Sequence, residues 1–183
     1  MHTDLSIRVM RPEEWAAARA VTVDAFGDDP TIGELLDGLR SSWSWEDDLS
    51  FVALRGSEIV GHVVFSHAFL DAPERIVDVL VLGPVGVRSD RQREGVGTAL
   101  ITEALRILSA HRPEPLVFLE GHPSYYPRFG FRQGHELGFV APSLRIPQAA
   151  FMVYCLPAYQ PWMRGTLVYP DVFWQQDAVG LRE

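Results

Sequence analysis

Between residues 85 and 98 the chain reads Val85-Gly86-Val87-Arg88-Ser89-Asp90-Arg91-Gln92-Arg93-Glu94-Gly95-Val96-Gly97-Thr98. This segment follows a β-prone run and leads into an amphipathic stretch with helical spacing. Glycines at a strand-to-helix junction let backbone N–H groups converge on an anion. The start of the helix adds unpaired donors and a partial positive charge. The physical expectation is a phosphate site on residues 92–98, with Arg91 or Arg93 as a charged donor. Three phosphate-binding loops compete for the stretch. A Walker loop needs Gly-Lys-Ser/Thr, and the chain contains no lysine. The dinucleotide fingerprint needs a third glycine where Leu100 stands, and it belongs to the first strand of its domain. What remains is Gln/Arg-x-x-Gly-x-Gly/Ala, met by Gln92, Gly95 and Gly97. The plain alternative is a glycine turn that only caps a helix.

About thirty residues on, past one helix and one strand, comes Gly121-His122-Pro123-Ser124-Tyr125-Tyr126-Pro127-Arg128-Phe129-Gly130-Phe131. With this second segment the sequence resembles the GNAT superfamily of N-acetyltransferases. That family joins a bulged strand, a Gln/Arg-x-x-Gly-x-Gly/Ala loop and a helix. A further strand follows, then a tyrosine four residues before a Gly-Phe pair, here Tyr126 before Gly130-Phe131. The proline-rich form of the second segment is similar to the YhbS-like branch of predicted bacterial acetyltransferases. The late run 151–153 and the tail at 165–169 look similar to that branch as well. The strong resemblance covers about residues 76–131, and the N-terminal third matches by element order alone.

The resemblance implies an α/β (α+β) fold with a central mixed, mostly antiparallel sheet of six to seven strands, splayed at the cofactor site and flanked by helices. It implies acetyl-CoA as cosubstrate, with pantetheine bonding to the backbone of Val85, Gly86 and Val87. The pyrophosphate is then expected on N–H groups of Arg93, Glu94, Gly95, Val96, Gly97 and Thr98, beside Gln92. The implied reaction is attack of a primary amine, on a small molecule or a peptide, on the thioester in a ternary complex. A non-catalytic acyl-CoA-binding sensor or interaction domain on the same fold is the alternative, because function lives in the acceptor site and not in the fold.

Such a reaction needs a base for the amine proton, a donor aimed at the developing oxyanion, and a partner for the leaving thiolate. A backbone N–H in 85–87 suits the oxyanion. Tyr126 suits the thiolate, since a phenol of pKa about 10 holds its proton at neutral pH; packing against Phe129 and Phe131 is its other reading, and Tyr125 reads as packing or wall. Three groups compete for the base. Glu120, after the strand at 116–119, ranks first; Asp78 and His122 follow. Cys155 could serve a covalent acyl-enzyme route, but an apolar strand with no histidine nearby in sequence points to an inert core thiol. His62 and His67 lack helical metal-ligand spacing, so no metal is expected.

Composition narrows the classes. The 183 residues carry a formal charge of −8, with 47% apolar residues. All 16 basic side chains are arginines, which rules out a Schiff-base lysine or a lysine base. The acidic balance, with no basic stripe, argues against nucleic acid. One cysteine excludes an intrachain disulfide. The start 1–15 lacks a basic, then apolar, leader, and no apolar run approaches the roughly 20 residues of a membrane span. The expectation is a cytoplasmic protein of one domain over 1–183, with its cofactor core at about 76–131 and a tail, 157–183, packed on it. The aromatic tail allows a homodimer.

The elements that must position these groups follow from periodicity and punctuation. Strands are expected over 5–10, 49–55, 58–70, 76–87, 116–119, 131–139 and 151–156. Helices are expected from Pro12 to about residue 26, from a Thr31/Glu34 capping box to about residue 40, and over 98–110. Gly56-Ser57 turns a hairpin, and Gly83-Pro84 suggests a bulge in the fourth strand. Trp43 and Trp45 fall in an irregular loop at 41–48; the resemblance implies a loop that often lines the acceptor side, and surface packing explains the two rings equally well.

Overall fold

The computed structural model describes residues 4–180. Residues 1–3 and 181–183, which belong to the leader argument and to the ends of the expected single domain, lie outside the described residues. In chain order the elements are β1 (Leu5–Val9), α1 (Trp15–Ala25), α2 (Pro30–Arg40), β2 (Ser50–Arg55), β3 (Glu58–Asp71), β4 (Ile76–Val87), α3 (Val96–His111), β5 (Leu116–Glu120), β6 (Arg132–Gln133), β7 (Phe139–Val140), β8 (Phe151–Cys155), β9 (Gly165–Val168) and α4 (Asp171–Gln175). The nine strands among the described residues make a mixed, mostly antiparallel sheet. The expected six to seven strands grow to nine because the sequence signal merges or misses the shortest ones.

The chain divides into two compact units, each built from two segments. Unit 1 takes residues up to Ser66 together with Leu82–Ala110, and unit 2 takes His67–Val81 together with the chain from His111 onward.

In unit 1, β1, β2 and the first part of β3 form an antiparallel meander, with Ile7 opposite Ala53 and Phe51 opposite Val63. From Ser50 to Leu54 every residue of β2 is buried, so both of its faces are covered. A single 3-10 turn, Pro12–Glu14, precedes α1. The Glu14 carboxylate accepts from Arg11 N at 2.8 Å and from the Arg8 guanidinium at 2.6 and 2.8 Å. α2 is capped two residues earlier than expected, at 29 and not at 31. Its cap is Asp29, whose Oδ1 accepts from Thr31 N at 2.9 Å, with Pro30 at the first helical position. α3 starts at Val96 and not at Thr98, because Gly95 adopts a positive φ of 82° and the helical backbone begins directly after it. It buries Leu100, Ile101, Ala104, Leu105 and Leu108, as its apolar spacing predicts.

A polar chain crosses the core of unit 1. His62 Nδ1 lies 2.8 Å from Thr22 Oγ1 on α1, and its Nε2 lies 2.9 Å from Ser50 Oγ on β2. All three residues are fully buried. Each hydroxyl can donate or accept, so both ring nitrogens of the neutral imidazole are paired.

In unit 2, β5 lies at the middle of the pairings. It pairs parallel with β4, at Leu80–Val117 and Val81–Phe118, and antiparallel with β8 over its whole length. The registered pairs with β4 end before Gly83, whose φ is +141°, although β4 itself continues through Gly83-Pro84 to Val87. The end of β3 pairs with β9. The single strand expected over 131–139 is two short strands, β6 and β7, separated by the 3-10 turn Gly134–Leu137. Glycine explains the break: the Phe151 ring lies where a Cβ of Gly134 would point, and Gly138 turns the chain at a φ of +83°. β9 and α4 in the tail carry no strong periodicity and were not expected as regular elements.

Burial lowers the His62 pKa to about 4, from 6.5. Between those values the unfolded chain binds more protons than the folded one. Stability is therefore complete above about pH 6.5 and falls by roughly 3 kcal/mol as pH drops to 4. Denaturant titrations of wild type and His62→Leu at pH 8 and pH 5 test this. The variant loses about 1–3 kcal/mol at pH 8 by stranding Ser50 and Thr22, but its loss between pH 8 and pH 5 is smaller than that of the wild type. An equal loss in both proteins contradicts the assignment.

Candidate active site

The loop after β4 is anchored at several points within unit 1. Arg88 N donates to Val60 O on β3 at 2.9 Å. A 3-10 turn, Ser89–Arg91, follows, and Asp24 from the last turn of α1 accepts from Ser89 N at 2.7 Å and Ser89 Oγ at 3.2 Å. Gln92 folds back so that Nε2 donates to Val87 O at 3.1 Å. Glu94 pairs with Arg55 of β2 at 2.6 Å. Gly86 is buried against α1, where a Cβ would come within 2.8 Å of Thr22 Cα; only glycine lets strand and helix approach this closely.

These anchors hold an unusual backbone. Arg93 has φ +63° and Gly95 has φ +82°. The left-handed region costs a non-glycine residue about 1–2 kcal/mol, so its retention at Arg93 requires the surrounding loop to over-determine it. Backbone of this kind turns N–H groups into an anion-binding concavity. The first helical bond of α3 runs from Ala99 N to Gly95 O at 3.0 Å, which leaves the N–H groups of Gly95, Val96, Gly97 and Thr98 for an acceptor outside the helix. A cleft of about 620 Å³ opens beside Gly95 and Thr98, lined also by Leu5, Ile7 and Thr102.

The arginines divide in role. Arg88 is held by Asp90 at 2.6 Å and Glu58 at 3.5 Å. Arg91 lies 3.7 Å from Asp90 and 4.0 Å from Glu94. Arg93 is exposed, with no carboxylate partner among the described residues. Of the two arginines named from sequence, Arg93 is the one whose charge is available. Val85 and Val87 are half-buried on β4. The Gln92 and Glu94 side chains are engaged within the protein, so at those two positions the backbone is the free partner.

In unit 2 the end of β5 carries Glu120, opposite Phe151 of β8. Gly121 N then donates to Ala150 O at 3.0 Å. The Tyr126 ring occupies the space a Gly121 Cβ would need, so this glycine allows the tyrosine to pack where it does. Tyr126 opens the 3-10 turn Tyr126–Phe129, which Gly130 ends at φ +98°. Its ring centroid lies 5.1 Å from Tyr125 and 5.9 Å from Phe131. Burial, and then Tyr125, push its pKa up to about 12. No hydrogen bond reaches its hydroxyl among the described residues. Tyr125 packs edge-on against Tyr126 and Phe129, with the Arg128 guanidinium 4.5 Å from its ring centroid.

Glu120 is partly buried, and both carboxylate oxygens are engaged. Gly180 N donates to Oε1 at 3.0 Å and Tyr169 Oη donates to Oε2 at 3.4 Å. Burial pushes the carboxyl up to about 7, against the lowering effect of those two donors and of Arg145. Its rivals are placed differently. Asp78 is exposed on β4 and lines a separate cleft with Arg75 and Glu114. His122 is exposed in the turn before Tyr125. Tyr169 and the Gly180 N–H were missed from sequence, because nothing local at 169 or 180 marks a contact across 49 or 60 residues of chain.

The expectation for Cys155 is corrected. Cys155 is not a core thiol but sits exposed at the end of β8; desolvation raises its pKa, which leaves the thiol protonated and a poor nucleophile. Trp45 packs edge-on against Trp15 at 5.4 Å and donates Nε1 to Asp47, so it is part of the body of unit 1, whereas Trp43 is 52% exposed. In the aromatic tail, Tyr169 and Phe173 are buried and stacked at 4.9 Å, and Trp174 is exposed. Among the described residues, no group of three or more His, Cys, Asp and Glu is placed to hold a metal ion. No helix among them is long and apolar enough to cross a membrane.

Comparison with known proteins places this architecture. The family model described as an acetyltransferase (GNAT) domain matches residues 6–134. The uncharacterized N-acetyltransferase YjhQ of Escherichia coli (strain K12) is 31% identical over 160 residues, covering 84% of this chain and 85% of that protein. A mycothiol acetyltransferase of Streptomyces scabiei (strain 87.22) is 34% identical over 139 residues, 69% of this chain but 42% of the relative. Among solved structures, a GNAT family acetyltransferase from Brucella melitensis in complex with acetyl-CoA matches with TM-score 0.72 and 30% identity, covering 94% of this chain and 99% of that one. YhbS of Escherichia coli in complex with CoA matches in fold, with TM-score 0.82, 22% identity and coverage of 94% and 93%. With the family domain spanning most of its length and a relative of this identity along nearly all of it, the chain belongs to the GNAT family of acetyltransferases.

Proposed function

We propose that this acyltransferase moves an acetyl group from acetyl-CoA to a primary amine of a small molecule or peptide, by direct attack in a ternary complex. The observation that carries the reading is the donor loop: left-handed backbone at Arg93 and Gly95, free N–H groups on Gly95, Val96, Gly97 and Thr98, and an available Arg93. A pyrophosphate is the anion of a size and charge to use several such donors together. The solved relative from Brucella melitensis holds acetyl-CoA, which supports the same cosubstrate here. The backbone of Val85, Gly86 and Val87 is the proposed partner of the pantetheine arm.

Glu120 is the proposed base. A carboxyl of pKa about 7 is half ionised at neutral pH and strong enough to accept a proton from an ammonium formed on attack. The amine nitrogen bonds to the thioester carbon, Glu120 takes the proton, and the carbon–sulfur bond breaks. Tyr126 is the proposed partner of the leaving sulfur. Its raised pKa changes that role from the one expected. A phenol at about 12 facing a thiolate of reference pKa about 8.5 would transfer its proton uphill by roughly 5 kcal/mol. A hydrogen bond that stabilises the thiolate carries no such cost, so Tyr126 holds its proton and donates a hydrogen bond, and the thiolate is protonated from solvent.

Thiol release from acetyl-CoA, screened across primary amines, tests both roles. Tyr126→Phe lowers kcat about 10- to 100-fold with little change in KM, as expected for an interaction made to the leaving sulfur. An unchanged kcat removes Tyr126 from the chemistry.

The base has a pH signature. A base must be unprotonated to act, so wild-type kcat/KM rises through about pH 7 and levels above it. Glu120→Gln is slower by about 10²- to 10⁴-fold and loses that limb. A wild-type limb in the variant assigns the base elsewhere.

A further inference from the structure

The groups that hold Glu120 come from chain beyond the family domain at residues 6–134. We infer that the C-terminal segment completes the reactive machinery: Tyr169 and the backbone N–H of Gly180 are positioning groups that fix the two oxygens of Glu120 and set the pH at which it takes a proton. The inference rests on Glu120 being the base.

A buried tyrosine commonly finds some hydrogen-bond partner, so one contact alone would say little. Here the two carboxylate oxygens are taken by two different donors, from two points of the same segment. The segment is fixed where it delivers them. Tyr169 is 5% exposed and stacks on Phe173. Asp177 adopts φ +47° and pairs with Arg145 at 2.8 Å. Gly180 adopts φ +92°, and a Cβ there would come within 3.1 Å of Arg145 Cβ. The positive φ favours glycine at that position, and its N–H is the group that meets Oε1. The β8 residue opposite Glu120 is Phe151, which is apolar. The charged group bearing on Glu120 is thus Arg145, which favours its ionised form and itself pairs with Asp177.

Each donor favours the carboxylate over the carboxylic acid. Losing the Tyr169 hydroxyl leaves Oε2 without its donor, and Glu120 then keeps its proton to higher pH. A tail that only covers the body would leave the Glu120 titration where it is.

The test is a carboxyl ¹³C NMR titration of full-length protein with labelled glutamate, the Glu120 signal identified by its absence in Glu120→Gln. Tyr169→Phe is expected to move the Glu120 midpoint upward by about half a unit or more. Tyr169→Phe keeps the ring that stacks on Phe173, so the packing around Glu120 is retained and only the hydroxyl donor is lost. An unchanged or lower midpoint in a variant with a native amide spectrum overturns the inference. The thiol-release profile of Glu120→Gln separates the two claims. If that variant loses the limb while the Tyr169→Phe midpoint stays put, the positioning role falls and the base stands. If Glu120→Gln keeps the limb, the base assignment falls, and with it the catalytic meaning of any shift.

Discussion

A run of backbone N–H groups pointing at nothing within the protein is the constraint on which unit 1 depends. Leaving such donors unpaired is unfavourable unless water or a ligand meets them, and left-handed backbone at Arg93 adds its own cost. The loop keeps this arrangement because its neighbours hold it from several sides: Asp24 of α1 on Ser89, Gln92 on Val87, and Arg55 of β2 on Glu94. Gly86 draws β4 and α1 close together. Behind them the Thr22–His62–Ser50 chain ties α1 to β2 and β3 through the core. The meander and its helices can be understood as a frame that keeps one short loop in a conformation it would not hold alone.

Unit 2 solves a different problem, which is to bury a carboxylate partway without neutralising it. Full burial without donors would drive Glu120 far above the neutral range, and full exposure would leave it near the ordinary carboxylate value. Two donors and a nearby arginine against partial burial bring it to about 7. Tyr126 is treated in the opposite way. It is packed among rings, with no donor or acceptor for its hydroxyl among the described residues, and its proton is held tightly.

The loop was legible in the sequence because its requirements are local. Glycine spacing, a following amphipathic helix and the absence of lysine are all visible within residues 85–108, and the helix face formed as its spacing predicts. The tyrosine before Gly130-Phe131 was legible through the family pattern and not through chemistry; the spacing of Tyr126 says nothing of the rings around it or of its raised pKa. Glu120 could be ranked but not assigned, since a carboxylate at a strand end looks the same whether it is solvated or half-buried. What decides its state comes from Tyr169, Arg145 and Gly180, held through tertiary packing. The misread elements have the same origin. The strand expected over 131–139 breaks where Phe151 lies against Gly134, the α2 cap fell to Asp29 in place of Thr31, and Cys155 lies at an exposed strand end that its apolar neighbours conceal. Short elements such as β9 and α4 carry too few residues for periodicity to register.

The central claim is that the loop at residues 92–98 receives the pyrophosphate of acetyl-CoA. The most direct measurement is a calorimetric titration of the purified protein with acetyl-CoA, beside a variant carrying Gly95→Asp and Gly97→Asp. Two carboxylates at the helix start oppose an anion, and an aspartate at 95 also resists the positive φ. The account predicts micromolar binding by the wild type and none by the folded variant. A well-folded wild type that binds neither acetyl-CoA nor CoA, or a variant that binds as tightly as the wild type, contradicts it.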